Sequence, residues 1–68
     1  MQHRSTQDIP LTTPQASEIL GVKPTTLEIW RHQGKGPAYL KIGRAVRYRI
    51  ADLHDFLDGS VRRSTSEY

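Results

Sequence analysis

The 68-residue chain contains no cysteine, which excludes disulfides, thiolate zinc sites and iron–sulfur clusters. Large aromatic side chains are scarce, with one Trp, one Phe and three Tyr, so any core must be built around very few of them. No apolar run approaches the roughly 20 residues of a membrane span, and residues 1–8 lack the apolar stretch of a signal peptide. His3, His32 and His54 have neither His-x-x-x-His spacing nor cysteine company, so no metal set forms. G-x-S-x-G, P-loop and G-x-G-x-x-G motifs are missing, and Gly34-Lys35-Gly36 precedes a strand pattern where a phosphate loop would precede a helix. His54 and Asp58, four apart, make at most one weak surface pair. The expectation is a small non-enzymatic module of one domain, without cofactor, metal or membrane partner, in a cytoplasmic, nucleoid-associated setting.

Acidic residues are missing from one place in particular. Residues 23–49 carry Lys23, Arg31, Lys35, Lys41, Arg44, Arg47 and Arg49 against Glu28 alone, a local charge of +6. The whole chain has a formal charge of only +3, because residues 1–22 and 50–68 are mildly acidic. A positive field confined to 27 consecutive residues is the footprint of a polyanionic partner. The alternative is a solvated basic face with no partner.

Local patterning divides the chain into an arm over 1–10, a folded unit over 11–58 and a polar tail over 59–68. Thr13 is read as the N-cap of a first helix, with Pro14 at its first position. Ala16, Ile19 and Leu20 then share a face, and Gly21 closes the helix. Pro24 opens a second helix with Leu27 and Trp30 on its buried side. Thr25, Glu28, Ile29 and His32 fall on the opposite side, flanked by Thr26 and Arg31. Gly34-Lys35-Gly36-Pro37 stops it, giving a helix-turn-helix pattern.

From Ala38 the hydrophobic period changes from 3.6 to 2. Ala38, Leu40 and Ile42, then Val46, Tyr48 and Ile50, alternate with Tyr39, Lys41, Arg47 and Arg49, the pattern of a β-hairpin. Pairing Ile42 with Val46 across a three-residue loop keeps both apolar sets on one face, and Lys41, Arg47 and Arg49 on the other. A two-residue turn led by Gly43 suits the glycine better but turns Val46 and Tyr48 outward. The hydrophobic pattern favours the first register. Arg44 is at the tip in both. A last helix presents Leu53, Phe56 and Leu57 at i, i+3 and i+4, with Asp52 and Asp55 near its positive end, and Gly59 ends it. The predicted fold class is α+β, two short helices, a hairpin and a third helix. Its core is Ile19, Leu20, Leu27, Trp30, Ile42, Val46, Tyr48, Leu53, Phe56 and Leu57.

The second helix of such a unit can enter a DNA major groove about 12 Å wide. Thr25 and Thr26 can bond bases or phosphates, Glu28 can accept from cytosine N4, and His32 can reach a base or phosphate. Arg31, nearer the buried stripe, reads as a phosphate clamp. Ile29 reads equally as surface scatter or as a thymine-methyl contact. On the hairpin, Lys41, Arg44 and Arg47 are the candidate DNA contacts, Arg in particular suiting the minor groove. Arg49 could instead pair with Asp52. Trp30, Tyr48 and Phe56 could stack bases, but their places in the apolar stripes assign them to packing, whereas alternation puts Tyr39 on the outer face.

Leu11-Thr12-Thr13-Pro14-Gln15-Ala16, Ile19-Leu20-Gly21-Val22, Thr26-Leu27 with Trp30-Arg31, Gly36-Pro37, Lys41-Ile42-Gly43, Val46-Arg47-Tyr48 and Asp52-Leu53 with Phe56-Leu57 occur in an informative order. In these pieces, spanning residues 11–57, the chain resembles the small MerR-like winged helix-turn-helix proteins of the excisionase and AlpA type. The resemblance implies a recognition helix in the major groove, the hairpin as wing, and a role as a recombination directionality factor or small transcription regulator. An excisionase binds and bends an attachment site and assists a separate integrase. Two positions depart from the pattern: Lys23 stands where Ser or Thr usually caps the second helix, making Lys23 a candidate phosphate contact, and Ala51 stands at the cap before Asp52. The expected partners are double-stranded DNA, further copies associating head-to-tail on repeated sites, and an integrase. A protein-interaction adaptor with a basic face is the alternative from another class.

Overall fold

A computed structural model describes residues 9–62. Its elements run α1 (Thr13–Leu20), α2 (Pro24–Gln33), β1 (Leu40–Ile42), β2 (Ala45–Arg47) and α3 (Ile50–Gly59). The expected α+β class holds: three helices and a two-stranded antiparallel hairpin make a winged helix-turn-helix fold. Most of the 1–10 arm and the tail beyond residue 62 fall outside the described residues.

The first helix starts one residue earlier than Pro14 suggests. Thr12, not Thr13, is the N-cap: its hydroxyl accepts from the Gln15 N–H at 3.3 Å, and its own N–H donates to Gln15 Oε1 at 2.9 Å. This reciprocal capping box satisfies two amides that lack helical partners. Pro14 is accommodated at the second helical position because that N–H also has no partner inside the helix. Ser17 is buried and donates its hydroxyl to the Pro14 carbonyl at 2.7 Å. The turn to α2 is closed by the Gly21 and Val22 N–H groups, both donating to Ser17 O.

The core is compact. Ala16, Leu27, Tyr48 and Leu53 are completely buried, one from each helix and one from the chain just after β2. Leu11, Leu20, Val22, Trp30 and Val46 pack around them half-buried. Phe56 joins through Trp30, their ring centroids 5.5 Å apart and tilted by 52°, an arrangement the aromatic quadrupoles favour.

Three expected core residues are on the surface. Ile19 is 44% exposed, because α1 buries the face carrying Ala16, Ser17 and Leu20, and at about 100° per residue Ile19 falls on the far side of Ala16 from that face. Leu57 is 38% exposed; one turn beyond Leu53 and two residues from the end of α3, it outruns so small a core. Ile42 is 55% exposed, and the hairpin register accounts for it.

The strands pair Leu40 with Arg47, Lys41 with Val46 and Ile42 with Ala45. The connection is therefore the two-residue Gly43-Arg44 turn, not the three-residue loop expected from the hydrophobic alternation. Gly43 has φ of +60° and no non-glycine residue among the described residues has positive φ, which identifies a type II′ turn with glycine in its first central position. Its twist matches that of the strands, so turn chemistry outweighs side-chain alternation. Val46 and Tyr48 keep their inward orientation; it is β1 that reverses, turning Leu40 and Ile42 to the other face.

A third backbone segment supports the hairpin. Leu11 forms an isolated antiparallel bridge to Tyr48, with Leu11 N–H to Tyr48 O at 2.7 Å and Tyr48 N–H to Leu11 O at 2.8 Å. The cap of α3 also differs from expectation: Arg49 is its N-cap residue, not Ala51, and contributes no side-chain capping bond.

Gly36, in the connection from α2 to β1, has φ of +90° and lies against Trp30, where an added Cβ would be 3.0 Å from both Trp30 Cβ and Cε3. Gly36→Ala therefore combines backbone strain with overpacking and should destabilise the fold by about 2–3 kcal/mol. Gly43→Ala has strain alone, since no atom lies within 4 Å of its added Cβ, and should cost about 1 kcal/mol. Urea denaturation followed by fluorescence of the single tryptophan measures both; equal losses would mean the Trp30 contact does not matter.

Candidate nucleic-acid interface

Helix α2 divides into two faces as its sequence requires. Leu27 is fully buried and Trp30 half-buried, while Thr25, Glu28, Ile29 and His32 are exposed together on the opposite side. Thr26 and Arg31 are intermediate between the two. The outward surface thus presents a hydroxyl, a carboxylate, a β-branched side chain and an imidazole along about two turns. That is a mixed donor, acceptor and apolar surface suited to base edges.

Lys23 caps α2 from an extended conformation without a side-chain hydrogen bond. Its carbonyl accepts from Thr26 N–H at 2.9 Å, and its ammonium is left at the exposed N-terminal end of the helix. At the other end, the N–H groups of Gly34 and Lys35 donate to the carbonyls of Arg31 and Trp30 at 3.2 and 2.9 Å. The chain then leaves past an open cleft bordered by Arg31, Lys35 and Tyr39.

On the hairpin, Arg44 is exposed at the second central position of the turn, and Lys41 is exposed on β1. Arg47 is half-buried, its Nη1 donating to the neighbouring Val46 carbonyl at 2.9 Å. The observed register separates these cations. Lys41 is opposite Val46 and Arg47 is opposite Leu40, so Lys41 and Arg47 project from opposite faces of the ribbon, not from one shared basic face. Arg49 pairs with Asp52 at 2.8 Å, as its spacing suggested.

Arg31 turns toward its own fold. Its Nη1 donates to the Tyr48 hydroxyl at 2.7 Å and reaches Thr13 Oγ1 at 3.4 Å. The guanidinium carbon is 5.7 Å from the Tyr39 ring centroid and 6.0 Å from that of Tyr48, within cation–π range. Tyr39 and Tyr48 are themselves neighbours, with centroids 6.1 Å apart. Tyr39 is 42% exposed, and its face toward Arg31 follows from the shifted register, which places it on the same side of the hairpin as Tyr48.

Two helices joined by a glycine-closed turn, a polar outer face on the second of them, and a hairpin wing make a recognisable constellation. A family model for the helix-turn-helix domain matches residues 10–60. The chain belongs to the helix-turn-helix domain family. No curated protein matches it. Family membership makes it a small DNA-binding helix-turn-helix protein, with α2 as the helix that follows the turn. Among the described residues no group of three or more His, Asp or Glu side chains could hold a metal ion, and no helix is long and apolar enough to cross a membrane.

Sequence reasoning missed two features of this helix-turn-helix interface. The Leu11–Tyr48 bridge carries no periodicity, since it is a single pair of residues. The destination of Arg31 depends on which face of the hairpin meets α2, and that followed from the turn. The Tyr48 position in an apolar stripe was a usable signal: a buried phenol needs a donor or acceptor, and the cation flanking the buried stripe of α2 is the nearest candidate.

The open cap at Lys23 has a measurable consequence. Lys23→Ser should stabilise the fold by about 0.5–1 kcal/mol, by supplying the missing cap oxygen. If Lys23 also contacts DNA phosphate, the same variant should lower the salt dependence of DNA binding by about one counterion. Urea denaturation and a salt titration read the two effects separately.

Proposed function

We propose that the protein is an excisionase-type recombination directionality factor: a sequence-specific double-stranded DNA-binding protein that occupies repeated sites as several copies, bends the DNA and assists a separate integrase. The observation that carries this reading is the concentration of +6 in residues 23–49, the stretch that forms the second helix of a helix-turn-helix pair and its wing. Helix α2 would lie in the major groove, with Thr25, Thr26, Glu28 and His32 toward the bases. Lys23, Lys41, Arg44 and Arg47 would follow the backbone, Arg44 reaching the minor groove from the wing tip.

The repeated-site element of the reading rests on size. Single DNA-binding modules of this kind bury roughly 600–1,000 Å² of protein surface, a modest contact for a specific complex. The chain contains no heptad repeat to form a dimerisation coil. Association templated by the DNA, head-to-tail on direct repeats, adds contact area copy by copy. The exposed Asp55 and Asp58 of α3 and the basic wing supply opposite charges for such neighbours.

A small transcription regulator of the same fold would use the same face, and bending separates the two readings. Footprinting on a candidate attachment region, coupled to a circular-permutation bending assay, should show repeated protected sites and a bend that grows with occupancy. A single unbent site would favour the regulator. For the interface itself, DNA affinity should fall steeply with salt, at a log–log slope of about −0.9 per phosphate neutralised. Arg44→Ala and Arg47→Ala should each reduce the slope by about one unit, and an unchanged slope in both would remove the wing from the contact. Substituting Thr25 or Glu28 should change which sites are preferred more than overall affinity. A uniform loss on all sequences would mean that these side chains touch only the backbone.

A further inference from the structure

Besides the shared core and the Leu11–Tyr48 bridge, one side chain ties the helix pair to the wing through polar contacts. Arg31 on α2 is in contact with α1 through Thr13, with the start of β1 through Tyr39, and with the end of β2 through Tyr48. Tyr48 is fully buried, so its hydroxyl has no water to turn to, and the 2.7 Å bond from Arg31 satisfies it. No buried side-chain polar atom among the described residues is left without a partner.

The partners of Arg31 are all neutral: two hydroxyls and two aromatic rings. No carboxylate is within ion-pair distance of it among the described residues. The side chain therefore joins three elements while keeping its positive charge, and one half of its guanidinium fork holds the wing. A guanidinium is suited to this because it is planar, donates in a fixed fork and stacks flat on rings; a lysine ammonium has neither the plane nor the fork.

We propose that Arg31 is a positioning residue for DNA recognition: by holding the Tyr48 hydroxyl it fixes the attitude of the wing relative to α2, so that wing and recognition helix meet one duplex together. This rests on the DNA-binding reading above but differs from an assignment of Arg31 as a phosphate clamp. A clamp acts through its charge and tolerates lysine. A positioning residue acts through the Tyr48 hydroxyl, and losing that oxygen affects recognition even with every charge intact.

Tyr48→Phe makes this distinction, since it removes one oxygen and leaves Arg31 present and half-exposed to water. The probes are a 25-base-pair duplex selected from a random pool by the wild-type protein, and an unselected duplex of the same length. Tyr48→Phe and Arg31→Lys should each weaken binding to the selected duplex by about tenfold, the scale of one lost charge-assisted hydrogen bond, and change binding to the unselected duplex by less than twofold. The Arg31→Lys/Tyr48→Phe double variant should lose little more than either single one, because both break the same contact. A purely structural role would lower the folded fraction and affect both duplexes alike, which overturns the proposal. Wild-type-like binding by Tyr48→Phe and Arg31→Lys, with Arg31→Ala weakened on both duplexes, also overturns it in favour of a phosphate clamp.

A DNA-free measurement keeps the inference separate from the functional reading. Residual dipolar couplings of the Lys41 and Val46 amides, compared with those of α2, should show the hairpin reoriented in Tyr48→Phe while the helices retain their mutual arrangement. An unchanged hairpin orientation refutes the positioning role whatever the DNA result. If the wild-type protein selects no duplex while the hairpin reorients as expected, the DNA reading fails and Arg31 still sets the wing.

Discussion

A phenol deep inside a small protein has to be satisfied from within, and much of this structure follows from how Tyr48 meets that need. Its ring is fully buried in a small core with Ala16, Leu27 and Leu53. Its hydroxyl draws Arg31 across from α2, and its backbone pairs with Leu11. One residue thus joins the N-terminal segment, the second helix and the hairpin. Cores of this size supply only about 3–5 kcal/mol, so a few tightly satisfied polar contacts have a large share in specifying the arrangement. Ligand binding then adds stability by mass action, and a module that works on DNA need not be very stable off it.

The helices were legible in the sequence because their signals are local. Proline near each of the first two starts, glycine after each end and apolar residues at three- and four-residue spacing all act within one or two turns. Even so, the cap of α1 belongs to Thr12 and not to Thr13: two neighbouring threonines both fit the preference, and only the partner at Gln15 separates them. Leu27, Trp30 and Leu53 were recognisable as core, since each lies near the centre of its apolar stripe. Ile19 and Leu57 lie at the margins of theirs, where the exact rotation and length of a short helix decide burial.

The hairpin shows where local and non-local signals conflict. Alternation argued for keeping Ile42 and Val46 together, while Gly43 argued for a two-residue turn. The turn prevails because its left-handed backbone matches strand twist, and the ribbon is only three residues long on each side. With so few pairs, the loss from exposing Ile42 is small beside a strained loop. The candidate DNA surface was accordingly legible on α2, where helical geometry assigns the faces, and less so on the wing. There the one-residue difference in loop length put Lys41 and Arg47 on opposite sides.

The Leu11–Tyr48 bridge also determines how the domain would respond to force. Tension applied through the segment before Leu11 is taken first by two short backbone hydrogen bonds, at 2.7 and 2.8 Å, and passes to the strand end before it loads the cap of α1. The bridge therefore acts as a mechanical clasp at the entry to the fold. Until it opens, a pull from the N-terminal side is felt at Tyr48, and through it at the hairpin and, by way of Arg31, at α2.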